Sequence, residues 1–184
     1  MITRLEKFNG MYYKVNVNNL QHLSVSKIGD YIIRGCTEQD LSEVILINWQ
    51  TLPEHYSDSF YQNLLKDAPD SFLVAEYLGK VVGYIMCRIE FGFSTVKKFG
   101  MGKKGHIVSI GILDEHRKKG LATEMMQIVM KALKEGGCSE IYLEVRISNK
   151  SAIGLYDRLQ FKNTTAYDNY YKDGERAFMM SRTL

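Results

Sequence analysis

A basic turn in the middle of the chain has residue types that could bind an anion. Residues 117–119 are Arg-Lys-Lys, the small residue Gly120 follows, and residues 121–135 have the apolar spacing of a helix. The first amide groups of a helix lack carbonyl partners and lie at the positive end of the helix dipole, and a glycine lets the backbone approach a ligand closely. Taken alone, the segment is either a phosphate-binding site or a basic turn in front of a helix.

Two further side chains could transfer protons. Along the strand predicted for residues 141–147 the odd positions are apolar. The even positions, Tyr142, Glu144 and Arg146, therefore share the opposite face. A carboxylate inside a strand usually has a charged partner or a chemical role. One explanation of Glu144 is that it pairs with Arg146. His106 begins the preceding apolar run and titrates near neutral pH, although a histidine at the start of a strand commonly has no chemical role.

A glycine-rich segment, residues 100–105, matches the G-x-G-x-x-G pattern of dinucleotide-binding loops. That pattern works where it leaves a strand and opens a helix, so that the helix amides meet a pyrophosphate. Here it precedes residues 106–113, which have the composition of a strand. We therefore set the dinucleotide interpretation aside and predict a flexible loop over residues 90–104.

The elements that would position these residues alternate between strand and helix. Helical periodicity is present in four segments and strand patterns in seven. We therefore predict a mixed α/β fold in which a central sheet of about seven strands is covered on both faces by about four helices. The predicted helices are residues 41–49, 57–65, 121–135 and 149–159, and the predicted strands are residues 31–34, 72–77, 81–89, 106–113, 141–147, 161–166 and 177–182.

Composition places the chain among ordinary globular proteins. Of its 184 residues, 45% are apolar and 24% are charged, which excludes a disordered or low-complexity chain. Lys and Arg number 24 against 21 Asp and Glu, and the net charge of +3 is too small to indicate general nucleic-acid binding. We expect one domain over residues 29–184, preceded over residues 1–28 by an N-terminal extension of unknown role, which is either a short added strand or a mobile segment.

Cysteine content and hydropathy indicate the compartment. Cys36, Cys87 and Cys138 are an odd number without a close pair, so we expect neither a disulfide framework nor a zinc site. The first residues lack the pattern of a secretory signal, and no apolar run reaches the ~20 residues that a membrane span requires. We therefore expect a cytoplasmic protein with no membrane partner.

The complete motif around the basic turn resembles a known family. Residues 117–122, R-x-x-G-x-A, are similar to the acyl-CoA pyrophosphate loop of the GNAT superfamily of N-acetyltransferases, and residues 149–156, N-x-S-A-x-x-x-Y, resemble its second signature. Residues 52–56, 141–146 and 169–171 resemble the corresponding segments of the family branch that acetylates protein N-termini. This branch includes RimI-like enzymes, archaeal N-terminal acetyltransferases and the NatA catalytic subunit. The resemblance covers about residues 31–184. It implies a V-shaped sheet whose fourth and fifth strands splay around the pantetheine arm.

The resemblance implies acetyl-CoA as the cofactor. In that family, main-chain amides of the fourth strand meet the thioester, the basic turn holds the diphosphate, and an asparagine hydrogen-bonds the pantetheine arm. Asn149 would then bind the cofactor as well as cap its helix, and Tyr156 is either a proton donor to the sulfur or a core residue. The positions implied for cofactor binding are Ile110, Gly111, Ile112, Arg117, Lys118, Lys119, Gly120, Leu121, Ala122, Thr123, Asn149 and Tyr156.

The resemblance also implies which residues accept the proton of the substrate's amino group. In the N-terminal acetyltransferase branch, the positions of His106 and Glu144 face each other across the substrate site and pass a proton through ordered water. Some relatives have Tyr at the first position and His at the second, so either residue could be the base, or both could titrate as a unit. A metal held by this pair alone would have too few ligands, and we expect none. The implied catalytic residues are Glu144, His106, Glu54 and Tyr156.

The peptide terminus would lie between the loop that joins the first two helices and the last hairpin. Glu54 would pair with the ammonium group or relay its proton, or else is an exposed loop charge. An acidic residue there favours small first residues such as Ser or Ala. The expected partners are protein or nascent-peptide N-termini, with ribosome association as an option and no direct contact with nucleic acid. The implied substrate-binding residues are Leu52, Pro53, Glu54, Tyr56, Tyr170 and Tyr171.

The expected reaction is direct transfer from acetyl-CoA to an α-amino group, without a covalent enzyme intermediate. Cys87 lies in an apolar run and is interpreted as a core residue. An α-amino group has a pKa of ~8 and a lysine ~10.4, and this difference corresponds to ~3.3 kcal/mol, so an α-amine needs a weaker base. The alternatives are acetylation of lysines or small amines, and a non-catalytic module that binds acyl-CoA.

Overall fold

An eight-stranded mixed sheet forms the centre of the fold. The computed structural model describes residues 3–8, 11–16, 24–96 and 100–184. The helices are α1 Leu41–Thr51, α2 Asp58–Asp67, α3 Leu121–Glu135 and α4 Lys150–Arg158, and the strands are β1 Thr3–Phe8, β2 Met11–Asn16, β3 Ser24–Ile28, β4 Tyr31–Gly35, β5 Phe72–Tyr77, β6 Lys80–Phe93, β7 Met101–Ile112, β8 Glu140–Arg146, β9 Lys162–Tyr167 and β10 Ala177–Thr183. The order in the sheet is β3-β4-β5-β6-β7-β8-β10-β9, and the strands of every adjacent pair are antiparallel except β7 and β8.

The four helices cover both faces of this sheet. Strand β5 shows why, because successive side chains of a strand point to opposite faces. Phe72 and Val74 belong to the core cluster under α1 and α2, whereas Leu73 and Ala75 belong to the cluster under α3 and α4. The predicted layered α/β architecture is confirmed. No helix in the described residues combines the length and the apolarity that crossing a membrane requires.

The sheet has eight strands where the sequence predicts about seven, and the additional strand is β3. It pairs with β4 across a turn in which Gly29 adopts a φ of 55°. A five-residue edge strand that contains two serines and a lysine gives little of the apolar alternation that reveals a strand. It lies within residues 1–28, so part of the predicted extension belongs to the central sheet. Earlier in the same segment, β1 and β2 form an antiparallel two-stranded sheet of their own.

Strands β6 and β7 form a longer hairpin than the sequence indicates. Their pairing continues through Glu90 opposite Lys104 to Phe93 opposite Met101. The predicted loop over residues 90–104 is therefore wrong for residues 90–93 and 101–104, which are strand, while residues 97–99 lie outside the described residues. Most of the glycine-rich segment is part of β7. Its G-x-G-x-x-G pattern does not open a helix, as expected. Glu140 at the start of β8 accepts hydrogen bonds from the Ser94 hydroxyl at 2.5 Å and the Thr95 amide at 2.6 Å, which fixes the outer end of β6 to the neighbouring strand.

Strands β7 and β8 separate soon after they meet. Their parallel ladder joins residues 104–106 to residues 140–142 and ends at the pair His106 and Tyr142. Residues 107–112 of β7 and 143–146 of β8 have no ladder partner in each other. The backbone edges of the two strands therefore face an opening, which is the V-shaped splay that the sequence implies.

A buried ion pair fixes the start of α1 to the sheet. The carboxylate of Asp40 accepts two hydrogen bonds from Arg34, at 2.7 and 2.8 Å, and further bonds from the amide and hydroxyl of Thr37. Burial alone would raise the pKa of Asp40, but the bonds from Arg34 and Thr37 outweigh burial and hold this pKa below its usual value. Asp40 is therefore ionised in the folded protein under most conditions.

Replacing Asp40 by Asn should lower the free energy of unfolding by roughly 3 kcal/mol at pH 7, because Arg34 loses its bidentate partner. A carboxyl group whose folded pKa is depressed stabilises the fold above its unfolded pKa of ~3.9, and this contribution disappears as the pH falls through the folded pKa. The difference between Asp40→Asn and the wild type, measured by urea unfolding, should therefore shrink below pH ~4. Glu38→Gln, which changes an exposed carboxylate next to Asp40, is the control and should have little effect. A pH-independent difference for Asp40→Asn would contradict this account.

Candidate active site

A cavity of about 1440 Å³ lies where β7 and β8 diverge. The two strands form its floor, the α1–α2 loop and the β9–β10 turn form its sides, and the first turns of α3 and α4 close its ends. The cavity is therefore lined by the elements that carry the catalytic, cofactor-binding and substrate-binding residues predicted from the sequence.

All but one of the sequence-predicted site residues line this cavity. The exception is Lys119, whose ammonium nitrogen lies 5.6 Å from the centre of the Tyr31 ring. The residues brought together are Leu52, Pro53, Glu54, Tyr56, His106, Ile110, Gly111, Ile112, Arg117, Lys118, Gly120, Leu121, Ala122, Thr123, Glu144, Asn149, Tyr156, Tyr170 and Tyr171.

A histidine and a carboxylate meet at the point where the two strands separate. His106 Nε2 lies 2.8 Å from Glu144 Oε2, and both side chains are largely buried. Two acceptors do not approach this closely without a hydrogen between them, so the pair shares at least one proton. The sequence leaves a pairing of Glu144 with Arg146 open, but the partner of Glu144 in the structure is His106.

Arg146 instead joins the two loops that flank the cavity. Its guanidinium contacts Glu54 at 2.5 Å, Asp173 at 2.7 Å and Glu175 at 2.7 Å. Tyr171 covers it, with the guanidinium carbon 3.9 Å from the centre of the ring. One guanidinium and three carboxylates give this cluster a net negative charge beside the His106–Glu144 pair. Glu54 is therefore not an isolated loop charge.

Asp173 and Glu175 are site residues that the sequence does not reveal. Glu54 and Arg146 are 92 positions apart, and the last hairpin comes later still, so no local pattern links these groups. The only sequence indication is the strand alternation that places Arg146 on the same face as Glu144.

Tyr156 of α4 is a largely buried residue that lines the cavity. It is 5% exposed and belongs to the core cluster under α3 and α4. Burial raises the pKa of Tyr156 well above its usual value, and the nearby Cys87 thiol raises it further. The hydroxyl therefore keeps its proton at neutral pH, so the residue can serve as a proton donor while it also packs in the core.

The first turn of α4 is fixed by the side chain of Asn149. Its carboxamide oxygen accepts a hydrogen bond from the Ala152 amide at 3.1 Å, which is the predicted helix cap. This hydrogen bond uses the carboxamide oxygen. The carboxamide nitrogen of Asn149 could therefore donate to a ligand in the cavity.

The first turn of α3 presents main-chain amides to the cavity. Its first residue follows Gly120, which adopts a φ of 85° and has no side chain to cap the helix. Within the described chain no other side chain caps it either. Arg117 supports the turn from behind, because its Nε donates to the Ile112 carbonyl at 3.0 Å and its Nη1 pairs with Asp114 at 2.8 Å. The amides at the helix start are thus suitably placed for a diphosphate.

A β-bulge shapes the middle of β7. Ile107 and Ser109 pair with consecutive residues of β6, and Val108 between them has no partner in that strand. A bulge redirects the backbone, and here the Val108 carbonyl accepts a hydrogen bond of 3.3 Å from the Tyr56 hydroxyl. This contact attaches the α1–α2 loop to the strand at the cavity wall.

Gly111 lets α1 pack directly against β7. A Cβ atom at this position would lie 2.8 Å from Thr51 Oγ1 and 2.8 Å from a ring carbon of Tyr84. Tyr84 cannot easily move, because its hydroxyl is hydrogen-bonded to Asn48 and Ser109 in the buried core. The absence of a side chain at Gly111 therefore determines where α1 ends and the α1–α2 loop begins.

Replacing Gly111 by Ala should displace the end of α1 together with Leu52 and Glu54. We expect a loss of about 1–3 kcal/mol in stability from overpacking and a clear rise in KM for the amine substrate. Thermal unfolding and steady-state kinetics measure the two effects. Gly92→Ala is the matched control, because its Cβ would meet only the Lys104 side chain at 3.6 Å. Wild-type KM in Gly111→Ala would show that the position of α1 does not control the substrate loop.

Comparison with known proteins gives consistent matches to one family. A model of the acetyltransferase (GNAT) family matches residues 39–161. The chain is 45% identical over 157 residues to a protein of Saccharolobus solfataricus named N-alpha-acetyltransferase, and the match covers 84% of this chain and 94% of that protein.

Two solved structures show the same arrangement of elements. The crystal structure of Ard1 from Thermoplasma volcanium superposes with a TM-score of 0.73 at 26% identity, over 84% of this chain and 98% of that chain. The structure of Arabidopsis thaliana Naa50 in complex with the bisubstrate analogue CoA-Ac-MVNAL has a TM-score of 0.72 at 25% identity, over 84% of this chain and 99% of that chain.

Proposed function

Since this chain belongs to the acetyltransferase (GNAT) family, we propose that it transfers the acetyl group of acetyl-CoA to the α-amino group of protein N-termini. The observation that carries the proposal is the His106–Glu144 pair, which lies at the closed end of the cleft between two splayed strands. The names of the similar archaeal protein and of the bisubstrate complex support the choice of an N-terminal amine.

The residues around the cavity fit acetyl-CoA as the second substrate. The cavity has the volume of a site for a large ligand, and the separated edges of β7 and β8 offer main-chain groups to an extended pantetheine arm. The amides at the start of α3 suit its diphosphate. When bound, acetyl-CoA supplies the acyl group as an activated thioester.

The protein's own contribution is to position the reactants and to move protons. Main-chain amides of residues 110–112 would donate to the acyl oxygen as negative charge develops on it. His106 and Glu144 would accept the proton of the α-ammonium group, and the neutral amine then attacks the acyl carbon. Tyr156 would donate a proton to the departing sulfur, which its unionised hydroxyl allows, and the second proton that the nitrogen loses as the amide forms would replace it.

The reaction needs no covalent intermediate on the enzyme. Cys87 is fully buried, and burial raises the pKa of its thiol well above the usual value. A thiol in this state is a poor nucleophile, so direct transfer from acetyl-CoA to the amine is the simpler route.

The charge cluster around Arg146 suits the amine end of a peptide. An α-ammonium group that enters beside Glu54 adds a cation to one guanidinium and three carboxylates, which is electrostatically favourable. Tyr170 and Tyr171 from the last hairpin and Tyr56 from the α1–α2 loop would enclose the first residues. We propose that small first side chains such as Ser and Ala fit this enclosure best.

An acetyl-CoA assay over matched peptides tests the proposed function. Peptides with a free N-terminus and blocked lysines should release coenzyme A, whereas peptides with a blocked N-terminus and free lysines should not. Glu144→Gln should lower kcat by about 100-fold or more, because half of the proton acceptor is lost. Glu135→Gln, at the exposed end of α3, is the control and should retain wild-type activity.

Two outcomes of this assay would contradict the proposal. Acetylation of lysine peptides with a blocked N-terminus would assign the chain to the lysine-specific alternative. Binding of acetyl-CoA in calorimetry without turnover of any amine would indicate the non-catalytic module.

We further propose that the termini are those of nascent chains and that the β6–β7 hairpin contacts the ribosome. Residues 88–105 contain five Lys or Arg and one Glu, a net charge of +4 where the whole chain has +3. Phe91 and Phe93 on the same hairpin are 71% and 74% exposed. Basic and aromatic side chains together suit a surface rich in phosphate and bases, so this proposal departs from the expectation, made from the sequence, of no direct contact with nucleic acid.

Co-sedimentation with ribosomes checks this contact. The protein should pellet with ribosomes at about 50 mM salt and be released at about 200 mM, as expected for contacts with phosphate. Lys103→Glu, an exposed position of the hairpin, should weaken pelleting, whereas Lys162→Glu on the distant edge strand β9 should not. Equal behaviour of the two variants would exclude the hairpin as the contact surface.

A further inference from the structure

A second carboxylate, Glu90, faces His106 from the side opposite to Glu144. Its Oε1 lies 3.5 Å from His106 Nδ1, whereas Glu144 lies 2.8 Å from Nε2. Glu90 is on β6 and Glu144 is on β8, so carboxylates from both neighbouring strands flank one imidazole of β7. Neither the sequence motifs nor the family resemblance points to Glu90.

The second ring nitrogen of His106, Nδ1, faces the Glu90 carboxylate. Nδ1 is buried and has no hydrogen-bond partner in the described part of the chain. The Tyr142 ring stacks on the imidazole, with ring centres 4.5 Å apart and planes at 4°, which keeps water from that face. The Glu90 carboxylate can accept a hydrogen bond from this nitrogen when the nitrogen carries a proton.

Two donors hold Glu90 in place. The Tyr142 hydroxyl donates to Oε2 at 2.5 Å, and Arg88 Nε donates to Oε1 at 2.6 Å. Partial burial alone would raise the pKa of Glu90, but Tyr142, Arg88 and the charge of His106 outweigh it and lower this pKa. Burial and Glu90 both raise the pKa of Tyr142, so the proton stays on the phenol and the charge stays on the carboxylate.

We propose that Glu90 is a positioning residue that stabilises the imidazolium form of His106 when the ring receives the substrate's proton. This inference rests on the proposed function and identifies where the proton goes. The N–H bond of the α-ammonium group breaks, nitrogen keeps the electron pair, and the free oxygen of Glu144 accepts the proton while the proton that Glu144 and His106 already share moves onto Nε2. His106 then carries a proton on each nitrogen, one facing each carboxylate. Glu144 is thus the group that meets the substrate, and His106 stores the proton.

Other ionisable groups surround the Glu90–His106–Glu144 group. Of these, only Arg88 is substituted in the experiment described below. Because each of them acts on the same carboxylates or on the stacked ring, the test must change Glu90 and Arg88 separately. They are Arg88 on β6, Lys104 above the Tyr142 ring, Tyr142 and Glu144 on β8, Tyr56 in the α1–α2 loop and Tyr170 in the last hairpin.

The test is a pH titration of the His106 ring by NMR in the free protein, with the signal assigned by its loss in His106→Gln. Glu90→Gln removes one of the two anions, so the midpoint should move to lower pH by about one unit. Arg88→Gln removes the cation that neutralises Glu90, so the midpoint should move to higher pH. Glu90→Asp should restore part of the wild-type midpoint. Glu76→Gln is the matched control: Glu76 lies on β5 and pairs with Arg34, and its substitution should leave the His106 midpoint unchanged.

The pH dependence of kcat gives the second readout. The acidic limb of the profile should move in the same direction as the titration in both variants, and Glu90→Gln should lower kcat at pH 8 about three- to tenfold as the proton store weakens. An unchanged midpoint in Glu90→Gln, or shifts of the same sign in both variants, would overturn the proposal. If Glu90→Gln does not fold, the sign of the Arg88→Gln shift decides. The titration needs no substrate, so opposite shifts without acetyl transfer would retain Glu90 and reject the proposed function.

Discussion

The structure depends on the early separation of two parallel strands. Strands β7 and β8 share a ladder over only three residue pairs, and the last of these pairs is His106 with Tyr142. Main-chain groups in a protein need partners, so the unpaired edges beyond this point require a ligand or water. The same divergence creates the cavity and places His106 and Glu144 at its apex. Beside this opening, buried side chains of both strands pack into one core cluster under α3 and α4.

Charge organises the region in front of this apex. Arg146 holds the α1–α2 loop and the last hairpin together through three carboxylates, while His106 lies between two more. Five carboxylates against two arginines, Arg146 and Arg88, and one histidine make a region that attracts cations. The cofactor end has the opposite character, with helix amides and basic side chains at the start of α3. This polarity orients two substrates of opposite charge along a single cleft.

Much of this could be predicted from local patterns. Strand alternation placed Tyr142, Glu144 and Arg146 on one face, and the two motifs identified the starts of α3 and α4. Contacts between distant segments could not be predicted, because no local pattern shows that Glu90 lies beside His106 or that the last hairpin reaches Arg146. Strand β3 was left open as one of two alternatives for residues 1–28, since its polar residues do not alternate, and the outer part of the β6–β7 hairpin was mistaken for a loop because of its glycines. Lys119 belongs to the basic motif, but its side chain packs over an aromatic ring outside the cavity.

The position of β10 has a consequence for how the protein is made. This strand follows β9 in the sequence, yet it lies between β8 and β9 and pairs with all seven residues of β8. The strand that carries Glu144 is thus held chiefly by residues 177–183. During synthesis, which proceeds from the N-terminus, the His106–Glu144 pair cannot be locked in place until residues 177–183 have emerged. A polypeptide that stops short of this segment would retain both signature motifs and still lack the strand that supports Glu144.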